Sequence, residues 1–101
     1  MNRKQRRAQK QKRQSGSPDI KARFSQAVQL HHAGNLTEAE AAYRHVLALQ
    51  PNHTEALNNL GVLLLAQGKA EEAEICFRTT IKQHQDARNW SNLGIALQRQ
   101  G

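Results

Sequence analysis

The residues of this chain best suited to chemistry are five histidines, one cysteine and the glutamates Glu71, Glu72 and Glu74. Histidine and cysteine together suggest a metal site, which for zinc needs about four nitrogen or sulfur donors converging on one point. His31 and His32 are adjacent, so on a helix they point about 100° apart and cannot chelate from one face. His45, His53 and His84 fall on other segments, and Cys76 has no second cysteine to complete a site. The glutamates open a helix, where they complement its dipole. No glycine-rich phosphate loop, nucleophile elbow or paired-carboxylate constellation is present. The residues therefore predict no catalysis, no cofactor and no metal.

A quieter chemistry is written in the asparagines. A carboxamide offers both a donor and an acceptor, so asparagines repeated along one face can hold a peptide backbone in register whatever its side chains are. Asn59 and Asn92 are the candidates, and they form a row only if the chain is built from repeating units. It is. Sliding residues 20–53 onto 54–87 pairs Ala22/Ala56, Val28/Val62, Leu30/Leu64, Gly34/Gly68, Glu38/Glu72, Ala39/Ala73, Glu40/Glu74 and Arg44/Arg78, eight identities in 34 positions. Tyr43/Phe77, Leu47/Ile81 and Ala27/Gly61 are like-for-like. A shift of 33 then pairs Asn59/Asn92, Leu60/Leu93, Gly61/Gly94, Leu64/Leu97, Gln67/Gln100 and Gly68/Gly101, so a third unit begins and stops at its midpoint. A fixed period of this length signals stacked helical hairpins.

Capping signals place two helices in each unit. Asp19 and Asn52 are expected to cap first helices near 20–33 and 53–67, with Asn52 and Glu55 at capping-box spacing, and Asp86 to cap a third near 87–100. Gly34, Gly68 and Gly101 suit the left-handed turns that end them. Thr37 with Glu40 reads as a capping box opening a helix near 37–50 that Pro51 terminates, and 70–84 is its counterpart. Glu40 to Arg44 and Glu74 to Arg78 are the same i,i+4 ion pair in successive units. Gly61 is the exception to helical preference, since glycine in a helix interior costs about 1 kcal/mol relative to alanine. The same site carries Ala27, Gly61 and Gly94 in the three units. It predicts a packing notch, where a side chain would hold the first helix away from the aromatic of the second, Tyr43 or Phe77.

Charge divides the chain differently. Of the net +7, all seven positive charges lie in residues 1–17 as Arg3, Lys4, Arg6, Arg7, Lys10, Lys12 and Arg13, while the remainder balances eight basic against eight acidic residues. The boundary follows the Ser-Gly-Ser-Pro linker. Residues 1–18 are expected to be a disordered basic tail and 19–101 a helical domain, with units at about 20–53, 54–86 and 87–101. Seven phosphate contacts on duplex DNA would give a salt slope near roughly −6, and each basic residue at an anionic membrane is worth about 1 kcal/mol. With no aromatic or apolar wedge in the tail, either kind of tether would be sequence-blind. No apolar run approaches a membrane span, no h-region follows the basic start, and a lone cysteine excludes an intramolecular disulfide. A cytoplasmic protein is the expectation.

Leu57-x-x-Leu60-Gly61-x-x-Leu64, followed by Gly68, Ala73 and Phe77, resembles the tetratricopeptide repeat; Trp90-x-x-Leu93-Gly94-x-x-Leu97 resembles it more closely, with the tryptophan present. Arg23 and Gln26 stand where the first repeat should be apolar, and no proline near Gln85 matches Pro51. The resemblance implies an all-α fold, a right-handed α-solenoid of stacked helix-turn-helix hairpins with about two and a half repeats and five helices. It also implies a protein-protein interaction module that receives an extended peptide or helix of a partner in a concave groove lined by the first helices.

The groove face lies opposite the notch. It is expected to present Phe24, Ser25, Val28, His31 and His32, then Asn58, Asn59, Val62 and Leu65, then Ser91, Asn92, Ile95, Gln98 and Arg99. Ser25, Asn59 and Asn92 recur two residues before each notch, which resembles the asparagine ladder of O-linked N-acetylglucosamine transferases. That likeness implies, as an alternative, the substrate-recruiting segment of a larger glycosyltransferase-like protein. The half-unit leaves one face of helix 87–100 uncovered, predicting either a longer array or self-association through that helix.

Overall fold

The computed structural model describes residues 19–101. Five helices follow one another: α1 Asp19–His32, α2 Leu36–Leu49, α3 Thr54–Ala66, α4 Ala70–Gln83 and α5 Ala87–Arg99. No strand occurs among the described residues. Pairs α1/α2 and α3/α4 form hairpins, α2 packs on α3, and α5 packs on α4 with a lighter touch on α3. This is the predicted solenoid, each unit burying its apolar face against the next.

The core is a single file of side chains between the helices. Ala27, Ala39, Tyr43 and Val46 are sealed in the first unit, and Leu60, Leu64, Ala73 and Phe77 in the second. A Cβ built on Gly61 would stand 2.5 Å from Cε1 and 2.7 Å from Cζ of Phe77, well inside van der Waals contact. The notch is thus filled by an aromatic ring. At Gly94 a Cβ would meet nothing within 4 Å, because no described element faces that part of α5.

The turns repeat as well. Gly34 and Gly68 take φ of +85° and +79°, which admits glycine without strain. Each leads into an i to i+5 backbone bond, Asn35 N–H to Leu30 C=O at 2.9 Å and Lys69 N–H to Leu64 C=O at 2.8 Å, the Schellman arrangement that satisfies late helical carbonyls. Between units the linkers differ: Gln50 to His53 separates α2 from α3, but only His84 to Asp86 separates α4 from α5. The shorter linker accounts for the 33-residue shift. Where the first linker has Pro51, the second is held by Asn89, whose Nδ2 donates to the His84 carbonyl at 2.7 Å.

Three capping expectations are corrected. The N-cap of α3 is His53, not Asn52; its Nδ1 accepts from Ala56 N–H at 3.1 Å, so the Asn52–Glu55 box does not form. Helix α2 starts at Leu36 with Asn35 at its N-cap and no side-chain cap bond. Thr37 therefore lies inside the first turn, and Glu40 turns instead to Arg44 at 2.9 Å and Lys69 at 3.3 Å. Asp86 caps α5 as expected, accepting from Asn89 N–H at 3.0 Å. Asp19 falls in the first turn of α1, where it pairs with Arg23 at 3.1 Å. That pairing explains how an arginine occupies a position expected to be apolar, since its other end reaches His45 Nδ1 at 3.0 Å.

Both repeated ion pairs form, Arg44–Glu40 at 2.9 Å and Arg78–Glu74 at 2.6 Å. Arg44 also reaches Glu72 of the next unit at 3.3 Å, so the same guanidinium ties hairpin to hairpin.

The two glycines make opposite predictions under urea denaturation. Overpacking a core costs about 1–3 kcal/mol and alanine's helix preference returns up to about 1 kcal/mol, so Gly61→Ala should destabilise by about 1–2 kcal/mol net. Gly94→Ala meets no neighbour and should stabilise by about 0.5–1 kcal/mol. Equal shifts at the two sites would show that neither is a packing notch.

Candidate functional site

The first helices α1, α3 and α5 carry the face opposite the notch, and the structure sorts the predicted groove residues into three groups. Ser25, Ser91, Gln98, Val62 and Ile95 are exposed. Val62 and Ile95 are notable because they are aliphatic, 41% and 38% accessible, and occupy matching positions on neighbouring helices. Val28, at the same position of α1, is half-buried.

The second group is polar and already engaged. Asn92 donates through Nδ2 to Asn58 Oδ1 at 2.8 Å, bridging α5 to α3. Asn59 lies beside the Tyr43 hydroxyl; burial pushes that phenol's pKa up and the Asn59 hydrogen bond partly opposes it. His31 Nδ1 is 3.1 Å from the same hydroxyl, with the rings edge-on at 83°. Burial, and secondarily the neighbouring His32, hold His31 below its usual pKa. The imidazole and the phenol thus share one hydrogen bond, and the buried Tyr43 lies between side chains of units one and two on this face.

The third group is committed to contacts within the fold. Leu65 is buried, 8% accessible, in the core shared with Leu93 and Ala96 of α5, and offers a partner almost no surface. Arg99, expected on the groove, donates instead to the Leu65 carbonyl at 3.2 Å. Phe24 is half-buried, its ring centroid 4.9 Å from that of His53 and 6.2 Å from that of Tyr43. The seven basic residues of the tail lie outside the described residues.

Cavities along this face reach residues not singled out from the sequence. One of about 540 Å³ is walled by Ile20, Lys21, Phe24, Gln50, His53 and Glu55. Another of about 160 Å³ lies among Glu55, Asn58, Asp86, Arg88 and Asn89. The repeat period itself could have found them, because Lys21, Glu55 and Arg88 occupy one position of the unit.

Other reactive side chains are committed to structure. Cys76 is buried and its thiol is pushed up to about 11 by burial, which leaves almost no thiolate at neutral pH. His53 caps α3 and His45 meets Arg23. At the far end, Trp90 and Leu97 of α5 are 53% and 44% accessible and flank the empty notch at Gly94. A cavity of about 190 Å³ beside them is walled by Arg78, Ile81, Lys82, Trp90 and Leu93.

The depressed His31 pKa has a thermodynamic consequence. Below the unfolded-state value of about 6.5 the unfolded chain binds the proton that the folded chain refuses, so stability is complete above that pH and falls as pH drops through the lowered folded value. Thermal melts from pH 7 to pH 5 should lose stability, and His31→Gln should flatten that slope. Glu40 and Glu74, held low chiefly by hydrogen bonds from Arg44 and Gln100 respectively, add their own loss only below about pH 4.5. An unchanged slope in His31→Gln would assign the upper window to another group.

Comparison with known proteins agrees with this architecture. A family model described as tetratricopeptide repeat matches residues 30–94. Over 69 residues, 67% of this chain, the sequence is 30% identical to tetratricopeptide repeat protein 7A of Homo sapiens, and that stretch covers 8% of the human protein. The chain therefore spans less than a tenth of this curated relative. With its helical hairpins, notch glycine and 34-residue period, the chain belongs to the tetratricopeptide repeat family.

Proposed function

We propose that the chain is a peptide-binding module whose first-helix face receives an extended segment of a partner protein. Tetratricopeptide repeats generally mediate protein–protein interaction, and a groove across consecutive units is how stacked hairpins present a continuous surface. The observation that carries the reading is the exposure of Val62 and Ile95 at matching positions on α3 and α5. Aliphatic side chains beside the carboxamides of Asn58 and Asn92 supply what an extended peptide needs, apolar contact for its side chains and hydrogen-bond partners for its backbone.

The asparagine row enters this reading in modified form. Asn92 spends one donor on Asn58, so the pair offers a ligand only its remaining amide hydrogens and lone pairs. The finer likeness to glycosyltransferase-linked arrays, and with it a substrate-recruiting role, rests on those remaining atoms.

Site-specific photocrosslinking in the native source tests the groove. A photoreactive side chain at Val62 should form an adduct with a partner protein, one at exposed Ile75 on α4 should not, and deletion of residues 1–17 should leave the Val62 adduct intact. An adduct lost with the tail would point to tethering instead.

A second reading is favoured by the stripe of Trp90, Gly94 and Leu97 on α5: a second copy of the chain covers it. Sedimentation should then show a concentration-dependent dimer that Leu97→Glu shifts toward monomer by about tenfold in Kd, the cost of a charge in an apolar contact. A monomer at every concentration would remove this reading.

A further inference from the structure

Three charged residues stand at one position of the repeat: Lys21 on α1, Glu55 on α3 and Arg88 on α5. They are related by shifts of 34 and 33 residues, the same shifts that align Ala27, Gly61 and Gly94. All three are exposed, and among the described residues none takes part in an ion pair. Charges on and beside the second helices behave otherwise: Glu40 holds Arg44 and Lys69, and Glu74 holds Arg78. The first-helix row is left unspent, with signs that alternate plus, minus, plus.

Cavities place the row in the groove. Lys21 and Glu55 share the walls of the cavity of about 540 Å³, and Glu55 and Arg88 share those of the cavity of about 160 Å³. Glu55 is common to both, so a chain lying across the first helices passes the three charges in order.

We propose that this row selects the partner, admitting an extended peptide whose charges run acid-x-x-base-x-x-acid. The inference rests on the groove reading given above and adds the ligand's register to it. α3 and α5 touch, helices in contact lie about 8–10 Å apart, and a polyproline-type extended chain advances about 9.3 Å in three residues while returning its side chain to the same side. Ligand residues three apart thus meet Glu55 and Arg88, and the cavity that Lys21 shares with Glu55 continues the row to the third charge. A helical ligand would satisfy its own backbone groups and leave the free carboxamide atoms of Asn58 and Asn92 unused. A uniformly acidic ligand would meet Glu55, and a uniformly basic one would meet Lys21 and Arg88.

The test is a nuclear magnetic resonance titration of the full isotope-labelled chain with two peptides. One is acetyl-Gly-Glu-Pro-Ala-Lys-Pro-Ala-Glu-Gly-amide; the other has the same composition with its two glutamates adjacent. Equal net charge makes any attraction to the basic tail the same for both. Since exposed ion pairs are individually weak, the matched peptide should bind roughly fivefold tighter, with amide shifts at Lys21, Glu55 and Arg88. The preference should shrink as salt rises from about 0.1 M to 1 M. Glu55→Lys should lose the preference and bind the peptide carrying glutamate in place of its lysine more tightly than the unaltered chain does. Equal affinities with shifts at Val62 and Ile95 would overturn the charge register and leave the groove standing. Absence of shifts in the groove for both peptides would overturn register and groove together. The unaltered chain decides between these outcomes without relying on the variant.

Discussion

Phe77 lies against α3 only because residue 61 has no side chain. That close approach sets the distance between α3 and α4, and the rest of the second unit follows from it. Ala73, one turn before Phe77, and Leu60 and Leu64 of α3 are buried in the same core. The helix-propensity cost of one glycine is about 1 kcal/mol. Against it stands the burial of an entire aromatic side chain, worth about 1.5–3 kcal/mol. The first unit reaches the same end with Ala27 and Tyr43, both sealed, so the arrangement tolerates one methyl group where the facing ring has a different seat.

Polar side chains then fix how units lie on one another. Arg44 joins Glu40 to Glu72, and Lys69 joins back to Glu40; on the groove side, Asn92 reaches Asn58 and Arg99 reaches the Leu65 carbonyl. Each such bond at the surface is worth little alone. Their value is geometric, since apolar faces slide and hydrogen bonds do not. The exposed aliphatic pair Val62 and Ile95 on the first-helix face is therefore held at a defined separation by bonds that flank it.

The repeat period was legible because it is carried by residue types with few substitutes: turn glycines, small notch residues, core aromatics. Helix ends were less so. Asn52 and His53 can both accept at the start of α3, and which of them does depends on the backbone of the Pro51 turn, which no propensity encodes. The exposure of Val62 and Ile95 followed from facing away from Gly61. The burial of Leu65 did not, because it joins a core to which α5 contributes Leu93 and Ala96, neighbours that the pattern of one hairpin does not show. The Asn92–Asn58 bond also depends on how the units stack: matching positions are Asn92 and Asn59, but the Asn92 side chain meets the residue one place earlier.

The two junctions between units are made of different materials. Pro51 restricts its φ before the chain folds, so part of the first bend is present in the unfolded ensemble. The bend at His84 to Asp86 depends on the Asn89 side chain and the Asp86 cap, both of which exist only once α5 is in place. Amide protons of α5 should consequently exchange with solvent through a local opening that leaves the first two hairpins shut. The two bends thus differ in when they are set: the first partly in the unfolded chain, the second only together with α5.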